Sequence, residues 1–587
     1  MGASEVVVVY DDKEELDLGA FPSGTKVHPR AELLQVEERL KEVKGVSVIV
    51  YVQTCAAEKR RRRKRGTFPD PDKRVFINTD ICEGCGDCGV QSNCVAITPV
   101  ETEFGRKRAI DQSACNKDFS CLQGFCPSFV TVQGGKPKRA ATKDVEVGIL
   151  PEPQLPAIDG TYNVIITGVG GTGVVTIGAA LAMAAHVDGK AAGMMEMAGL
   201  AQKGGAVHIH CRLAETPDDI SAVRVANGEA DALIGGDLVV SAGTKTLSLA
   251  KTGRTGAVVN SHEIVTGAFT HDTEFRIPGD RLRLTLEAKM QERVALFDAS
   301  ELARVVLGDT IYSNMLLLGA AWQSGLIPLS RDAIRKAIEL NGAAVDMNLR
   351  AFEIGRWAVV HPERAAEMTG GQTGAVEAVT VGQVIEARAK HLRKYQSPLL
   401  ARKYRKRVDA FDDERLKEAV AKGYHKVLAY KDEYEVARLL KETKKKAKAE
   451  LDGTLKLTYH LAPPMVSKDG PDGRPAKRDY GQGMIRLLGL MSRFKFLRGT
   501  MFDPFRYSED RRLERELIRQ YEKDLKLISG TLPDHAAEAA LALAELPLRI
   551  RGFGPVKKAN YEAAMKERAV LLKTLKERPE PQLKAAE

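Results

Sequence analysis

The chain lacks several features that would assign it to a class at once. Only 6% of its 587 residues are aromatic, and two are tryptophan. No apolar stretch reaches about 18 residues, the length that a membrane-spanning helix needs. The opening stretch MGASEVVVVYDDKEE turns acidic too early for a secretory signal. We therefore expect no membrane span, no export and a cytoplasmic location.

The composition is that of an ordinary soluble globular protein, with 44% hydrophobic and 28% charged residues. A chain of 587 residues is too long for one hydrophobic core, so three or four domains are expected. We predict a multidomain α/β protein with an α+β ferredoxin-like insert, a mainly parallel sheet and a mostly helical C-terminal extension.

The excess of positive charge has one main source. Seven consecutive basic residues, Lys59–Arg65, supply most of the net charge of +10, and without them it would be +3. Such a run is usually a solvated linker, although it can also bind nucleic acid or attract an acidic partner. No aromatic platform accompanies it, so nucleic-acid binding is disfavoured.

Composition and hydrophobic spacing divide the chain into six segments. Buried-strand runs such as EVVVVYDD and VSVIVYVQT enclose a helical stretch near the start, and strands alternate with helices after Asn163. The predicted segments are an incomplete α/β end (1–58), a basic linker (59–72), an iron–sulfur region (73–135), a linker with four prolines (136–162), an α/β region (163–365) and a helical extension (385–587).

Seven of the nine cysteines lie between Cys82 and Cys126. Without export, this crowding indicates metal ligands rather than disulfides. Two runs, CEGCGDCGVQSNC and CNKDFSCLQGFCP, resemble the C-x2-C-x2-C spacing of bacterial iron–sulfur proteins and its terminal Cys-Pro. Zinc is the alternative, but seven cysteines ending in Cys-Pro make it unlikely.

The last cysteine of each run crosses to the other cluster in two-cluster ferredoxins. That rule predicts two [4Fe–4S] clusters. The first would be held by Cys82, Cys85, Cys88 and Cys126. The second would be held by Cys94, Cys115, Asp118 and Cys121. The x2 spacing should wrap a loop around the cube with backbone N–H groups turned towards sulfur.

Asp118 stands where the second run should have its middle cysteine. A carboxylate is a harder ligand than a thiolate, so the iron at that corner should be labile and the cluster could convert to [3Fe–4S]. Alternatively Asp118 is a surface residue, and the second cluster is absent or has three ligands. Short strands, KRVFIN and SFVTVQ, should pair across the region, and AITPVETEFGRKRAID should form a hairpin.

A glycine-rich turn follows the strand NVIITG. It places Gly168, Gly170 and Gly173 in G-x-G-x-x-G register, with Gly171 between them. Such a turn can offer amides and a helix N-terminus to a phosphate, and Lys203 could add a second contact. By itself the motif is weak, and tight strand-to-helix packing without a ligand is the alternative.

Three nearby residues are predicted to be structural. His208 and His210 alternate along a strand, and Cys211 should be a buried thiol. An acid that could contact a ribose follows the glycine turn at Glu196. The sequence around Glu196 lacks the pattern of a strand that ends at a nucleotide.

The order of these motifs resembles the 2-oxoacid:ferredoxin oxidoreductases, and specifically the C-terminal half of the fused indolepyruvate enzymes. The cysteine runs resemble that family's cluster region. The stretches GVGGTGVVTIGAALA, MAGLAQKGGAVHI and YSNMLLLGAA resemble its gamma domain, and QTCAAEKRRRRKRG resembles the end of its thiamine domain. LPLRIRGFGPVK resembles the extension of the fused forms.

The resemblance implies oxidative decarboxylation of an aryl-2-oxoacid to acyl-CoA and CO2, with electrons passing through the clusters to ferredoxin. It implies thiamine diphosphate and Mg2+ as further cofactors and coenzyme A as co-substrate. No G-D-G…N segment for thiamine is present in these residues. The catalytic thiamine site is therefore expected on an N-terminal half or a partner subunit, and the chain alone should be inactive.

Two other functions stay open at this stage. One is an NAD(P)H-linked iron–sulfur reductase that uses Gly168–Gly173 for the nucleotide. The other is a non-enzymatic iron–sulfur protein that binds nucleic acid through Lys59–Arg65. Besides ferredoxin and the thiamine-bearing partner, a dimer or higher oligomer is expected.

Overall fold

A computed structural model describes most of residues 2–576. The described part omits residues 13, 139–141, 199–204, 265–266, 271, 371–379, 464–466, 468–473 and 531–535. The chain divides into two compact units. The first contains Met1–Pro71 and Asn116–Asp118, and the second contains the remainder.

The first unit is a small parallel α/β layer. Its sheet has the order β2–β1–β3, and Val7, Val9, Val36 and Leu40 form its core. The predicted strand–helix–strand pattern is confirmed. Strand β2, which lies at the edge of the sheet, was not predicted. The elements are β1 (Glu5–Tyr10), β2 (Lys26–Pro29), α1 (Leu33–Leu40), β3 (Ser47–Val52) and α2 (Ala56–Lys64).

The basic run is a helix, and its prediction as a linker is wrong. Helix α2 includes most of the run, because arginine and lysine are good helix formers. Lys59 Nζ lies 2.5 Å from Glu14 Oε1. The guanidinium groups of Arg62 and Arg63 lie 5.1 and 5.4 Å from the ring centre of Phe68. These contacts offset part of the repulsion within the run.

Residues 73–135 form the cysteine-rich region of the second unit. Strand β4 pairs with β7, and β5 pairs with β6 in the predicted hairpin, whose turn contains Gly105 with φ +88°. Both predicted pairings are confirmed. The elements here are β4 (Arg74–Ile77), α3 (Asp87–Ser92), β5 (Ile97–Val100), β6 (Lys107–Ile110), β7 (Phe129–Gln133) and, just beyond, β8 (Lys136–Pro137).

Residues 161–368, the sheet region, contain a six-stranded sheet of order β10–β11–β9–β12–β13–β14. The strands β9, β12, β13 and β14 are parallel, and β10 and β11 add an antiparallel edge. The parallel strands β9, β12 and β13 are buried runs, as expected for a sheet covered on both faces, and the edge strand β14 is half-buried. The strands are β9 (Thr161–Val169), β10 (Ala191–Ala198), β11 (Ala206–Ala214), β12 (Ala232–Gly235), β13 (Gly256–Asn260) and β14 (Val294–Phe297).

Helices cover this sheet and bury Trp322 and Trp357 with the aliphatic side chains of the core. The close approach of α9 and α11 requires glycine, since a Cβ on Gly319 would lie 1.9 Å from the Phe352 carbonyl oxygen. The helices are α4 (Val174–Val187), α5 (Leu238–Ser241), α6 (Thr244–Leu249), α7 (Gly279–Met290), α8 (Ala299–Leu307), α9 (Ser313–Gln323), α10 (Arg331–Asn341), α11 (Val345–Val360) and α12 (Pro362–Met368).

Residues 381–576, the C-terminal region, are mostly helical, as predicted. Side-chain caps begin several of the helices, including the capping box of Thr380 and Gln383. The helices are α13 (Val381–Tyr395), α14 (Pro398–Val408), α15 (Glu414–Leu428), α16 (Glu433–Glu450), α17 (Gln482–Met491), α18 (Glu509–Ile528), α19 (Ala537–Glu545) and α20 (Gly554–Lys576).

The C-terminal region also completes the sheet of the cysteine-rich region. Its short strands are β15 (Leu451–Asp452), β16 (Lys456–Leu461) and β17 (Arg478–Tyr480). Strand β16 pairs with β7, so the four-stranded sheet has the order β17–β16–β7–β4. The cysteine-rich region and the C-terminal region therefore share one hydrophobic core. This shared core was not predicted from the sequence.

Candidate functional site

The four cysteines that the crossover rule assigns to the first cluster line one pocket of the second unit. Cys82 and Cys85 lie in the loop after β4, Cys88 lies in α3, and Cys126 lies just before β7. None of the four is in a disulfide. The structure thus brings together side chains from both cysteine runs.

Glycines let the loop bend around the pocket. Gly84 and Gly86 have φ values of +68° and +81°, which favour glycine. The Gly84 N–H donates to Cys82 Sγ at 3.4 Å, and the Asp87 N–H donates to the sulfur of Cys85. Backbone amides therefore face sulfur, as the x2 spacing predicts.

The pocket disfavours thiolates in the absence of a bound cation. Burial, together with a smaller effect of the neighbouring sulfurs of Cys126 and Cys82, raises the pKa of Cys85 to about 12. Burial also raises the pKa of Cys88 and of Cys126. Close buried thiolates repel one another, and iron would relieve that repulsion.

The arrangement fits a cube of four irons better than one ion. A single Zn2+ needs its sulfurs about 2.3 Å from one point. In the part of the chain that the structure describes, no three or more His, Cys, Asp or Glu side chains are placed to hold one ion. A [4Fe–4S] cluster takes one thiolate at each corner, so its ligands surround a space. The four cysteines do so here, and their binding of a cluster stays a prediction.

Gly124 is a pocket residue that sequence reasoning missed. A Cβ at this position would lie 2.9 Å from Cys88 Cα and 3.0 Å from Cys88 Cβ. Contacts this short with backbone would push the two ligand loops apart. The only signal in the sequence is the glycine two positions before Cys126.

Other parts of the second unit enclose the pocket. Arg108 of β6 lines it, and its guanidinium lies 4.0 Å from the ring centre of Phe269 in the sheet region. From the C-terminal region, Lys431 donates to the Cys82 carbonyl oxygen at 3.1 Å. Burial lowers the pKa of Lys431 to about 8, and the nearby Cys82 acts in the opposite direction.

The proposed ligands of the second cluster fall into both units. Cys94, Cys115 and Cys121 belong to the second unit, and Asp118 belongs to the first. Cys121 is buried, Cys94 and Cys115 are half-buried, and Asp118 is exposed. Phe119 adopts φ +66°, which is uncommon for an aromatic residue. The assignment of these four residues to one cluster stays a prediction.

The glycine turn lies at the carboxyl end of β9 and leads into α4, as predicted. Gly171 and Gly173 have φ values of +97° and +82°, and no atom of the described residues lies within 4 Å of where a Cβ on Gly171 would stand. A Cβ on Gly168 would lie 3.4 Å from Gly236 Cα, and the Gly170 N–H donates to the Gly205 carbonyl oxygen at 2.8 Å. The predicted contact Lys203 lies outside the described residues.

Polar residues at the same sheet edge were not predicted. Asn314 Nδ2 donates to the Gly173 carbonyl oxygen at 3.3 Å. Asp237 is fully buried at the end of β12, and burial raises the pKa of its carboxyl group. Parallel strands end together at this edge, which is where open α/β sheets bind ligands. The end of strand β12 in the sequence could have predicted Asp237, which follows that strand.

The predicted structural residues are buried on β11. His208 Nε2 lies 3.2 Å from Thr246 Oγ1, and His210 Nδ1 accepts the Val225 N–H at 3.0 Å. Burial lowers the pKa of both histidines to about 4. Cys211 is fully buried and has no disulfide, and burial raises its pKa to about 12.

Two family matches cover the sheet region and the C-terminal region. Residues 163–358 match the family described as pyruvate ferredoxin/flavodoxin oxidoreductase. Residues 381–570 match a family of unknown function, DUF6537. The cysteine-rich region lies outside both ranges. Among the described residues, no helix is long and apolar enough to span a membrane.

Curated relatives match the same third of the chain. Indolepyruvate oxidoreductase subunit IorB of Pyrococcus horikoshii is 29% identical over 202 residues, which are 33% of this chain and 94% of that protein. The subunit of that name from Thermococcus kodakarensis gives the same values. The crystal structure of the keto/oxoacid ferredoxin oxidoreductase gamma subunit from Geobacter sulfurreducens is 24% identical and covers 34% of this chain and 98% of that one. Its TM-score of 0.26 is too low to support a conclusion.

Proposed function

Because residues 163–358 belong to the 2-oxoacid:ferredoxin oxidoreductase family, we propose that the chain is the electron-transfer and acyl-acceptor part of an indolepyruvate, or aryl-2-oxoacid, ferredoxin oxidoreductase. In the proposed reaction one 2-oxoacid, one coenzyme A and two oxidised ferredoxins give acyl-CoA, CO2, one proton and two reduced ferredoxins. The relatives named as subunits support a partner subunit, on which we place the proposed thiamine diphosphate and Mg2+.

The observation that carries this proposal is the pocket lined by four cysteines, of which Cys82 and Cys88 are buried and Cys85 and Cys126 are half-buried. A [4Fe–4S] cluster bound there would supply one-electron transfer. Cys82, Cys85, Cys88 and Cys126 would hold it. Gly84 and Asp87 would orient their N–H groups towards sulfur, and the surrounding side chains would keep water out.

Coenzyme A is proposed to bind at the glycine turn. The N-terminus of α4, a helix of 14 residues, points its unpaired amides towards this edge of the sheet. Among the described residues, Gly171 leaves room for a phosphate to approach the backbone, whereas a Cβ on Gly173 would lie 2.6 Å from Asn314 Nδ2. Lys203 stays a predicted second contact.

The NAD(P)H alternative is weakened by the strand order. In a dinucleotide-binding unit, the strand after the first helix lies parallel and next to the first strand. Here β10 follows α4, but β11 lies between β10 and β9 and pairs antiparallel with each of them. Glu196 lies on that outer strand β10.

Anaerobic preparation of the chain with a thiamine-binding partner tests the proposal. We expect about two cubes of iron and sulfide per chain and CoA-dependent reduction of benzyl viologen with indolepyruvate or phenylpyruvate. Pyruvate and 2-oxoglutarate serve as substrate controls. A colourless preparation, or bleaching of the cluster absorbance by NADH alone, would contradict it.

A further inference from the structure

The C-terminal region places ammonium groups on both ligand loops of the first cluster. Lys431 lies between α15 and α16, and Lys477 lies just before β17. They are separated from the loops they contact by about 350 residues of sequence. Neither contact belongs to the glycine turn or to the cysteine ligand set.

Lys431 is fixed against the loop that carries the first cysteine. Its Nζ donates to the carbonyl oxygens of Ile81 and Cys82 at 3.0 and 3.1 Å. It also lies 2.7 Å from Glu83 Oε1, and Lys426 pairs with the other oxygen of the same carboxylate. Glu83 therefore bridges two ammonium groups, and that of Lys431 lies beside Cys82.

Lys477 is fixed against the loop that carries the last cysteine. Its Nζ donates to the carbonyl oxygens of Leu122, at 3.1 Å, and of Gly124. It also lies 5.6 Å from the ring centre of Phe129, which lines the pocket. These partners are neutral, so they do not cancel the charge of the lysine.

A bound cluster with four thiolates gains one more negative charge on reduction. Charges and hydrogen bonds around the sulfurs set the potential of such a cluster, and positive charge in a poorly screened site favours the reduced form. We propose that Lys431 and Lys477 raise the reduction potential of the first cluster. This assigns the C-terminal region the role of tuning that cluster, and it rests on the proposed function.

The test is an anaerobic redox titration followed by EPR, with iron and sulfide measured on the same samples. Lys431→Gln and Lys477→Gln remove the charge and keep a donor. Each should make reduction about tenfold less favourable, which lowers the midpoint potential by about 59 mV. Lys431→Arg and Lys477→Arg keep the charge and should keep the wild-type potential.

Lys445→Gln is the matched control. Lys445 is an exposed residue of α16, the helix that follows Lys431, and its substitution should leave the potential unchanged. A wild-type potential in both Gln variants with full iron would overturn the inference. So would a drop as large in the Lys445 control.

The two lysines lie on separate elements, so each gives an independent trial. If both Gln variants lose the cluster, the Arg variants decide the question, because they retain the positive charge. An unchanged midpoint potential in the Arg variants supports the inference, and a lowered midpoint potential overturns it. Failure of the proposed function has a different signature, since the wild-type protein would then contain no iron or sulfide, or NADH alone would bleach its clusters.

Discussion

The cysteine pocket and the glycine turn are both predicted ligand sites, but the molecule surrounds them differently. The pocket buries Cys82 and Cys88 to 6% exposure and is enclosed by the sheet region and the C-terminal region. At the glycine turn, a Cβ on Gly171 would meet none of the described residues within 4 Å. The first site suits the proposed resident cluster, and the second suits the proposed co-substrate, which enters and leaves.

This difference follows from the chemistry of the two ligands. A cluster that carries single electrons works when water is kept from its sulfurs, so buried thiols and neutral packing favour it. A co-substrate must dissociate after each turnover, so backbone amides at an exposed helix N-terminus are sufficient. The following predictions separate the two sites.

Removal of a pocket cysteine should have the largest effect. Cys85→Ser should abolish the first cluster, with a loss of about four irons per chain and of electron transfer to viologen. Iron and sulfide assays with EPR check this. Cys211→Ala is the control, because Cys211 is also a free thiol but is fully buried on β11, away from the pocket. Equal iron in the wild type and the Cys85 variant would show that the pocket holds no cluster.

Acid should destabilise the sheet beside the glycine turn. His208 and His210 have folded pKa values of about 4, below the unfolded value of 6.5, so the unfolded chain binds more protons between these limits. Stability is therefore full above about pH 6.5 and falls as pH drops towards 4, by about 1 kcal/mol per histidine at pH 5.5.

Tryptophan fluorescence reports this effect, because both tryptophans of the chain, Trp322 and Trp357, lie in the sheet region. Thermal unfolding followed at pH 7.5 and 5.5 measures the loss. The double variant His208→Gln/His210→Gln should flatten the pH dependence. An unchanged slope in that variant would contradict the assignment to these histidines.

A side chain in the glycine turn should weaken coenzyme A without affecting iron. Alanine disfavours the left-handed conformation of Gly171 by about 1–2 kcal/mol, so the turn of Gly171→Ala should relax in the free protein, and coenzyme A would have to restore it at about a tenfold higher KM. Gly189→Ala is matched, because Gly189 has φ +70° and open space but lies beyond the far end of α4. An equal rise in KM in both variants would remove the case for a phosphate site.

The smallest effect is expected at Asp118. If the carboxylate is a ligand, oxidised wild-type protein should show a [3Fe–4S] EPR signal that Asp118→Cys removes, with a gain of at most one iron. Absence of that signal, together with unchanged iron content, would make Asp118 a surface residue.

Local patterns were enough to predict much of the fold. The buried runs at β1, β3, β9 and β13 are strands, and the hairpin of β5 and β6 turns at Gly105. Short-range spacing predicts such features because each depends on neighbouring residues. The helix over Lys59–Lys64 was missed, since a charge run gives no hydrophobic period and its stabilising contacts lie elsewhere.

The cysteine spacing and the crossover rule depend on a few adjacent residues, so they were enough to predict which thiols lie close together. The sequence by itself also determined the glycine turn, whose positive φ values require glycine. Only the tertiary structure decided what surrounds the pocket. Strand β16 and the lysines Lys431 and Lys477 reach it across hundreds of residues, and no local pattern encodes a contact made by chain reversal.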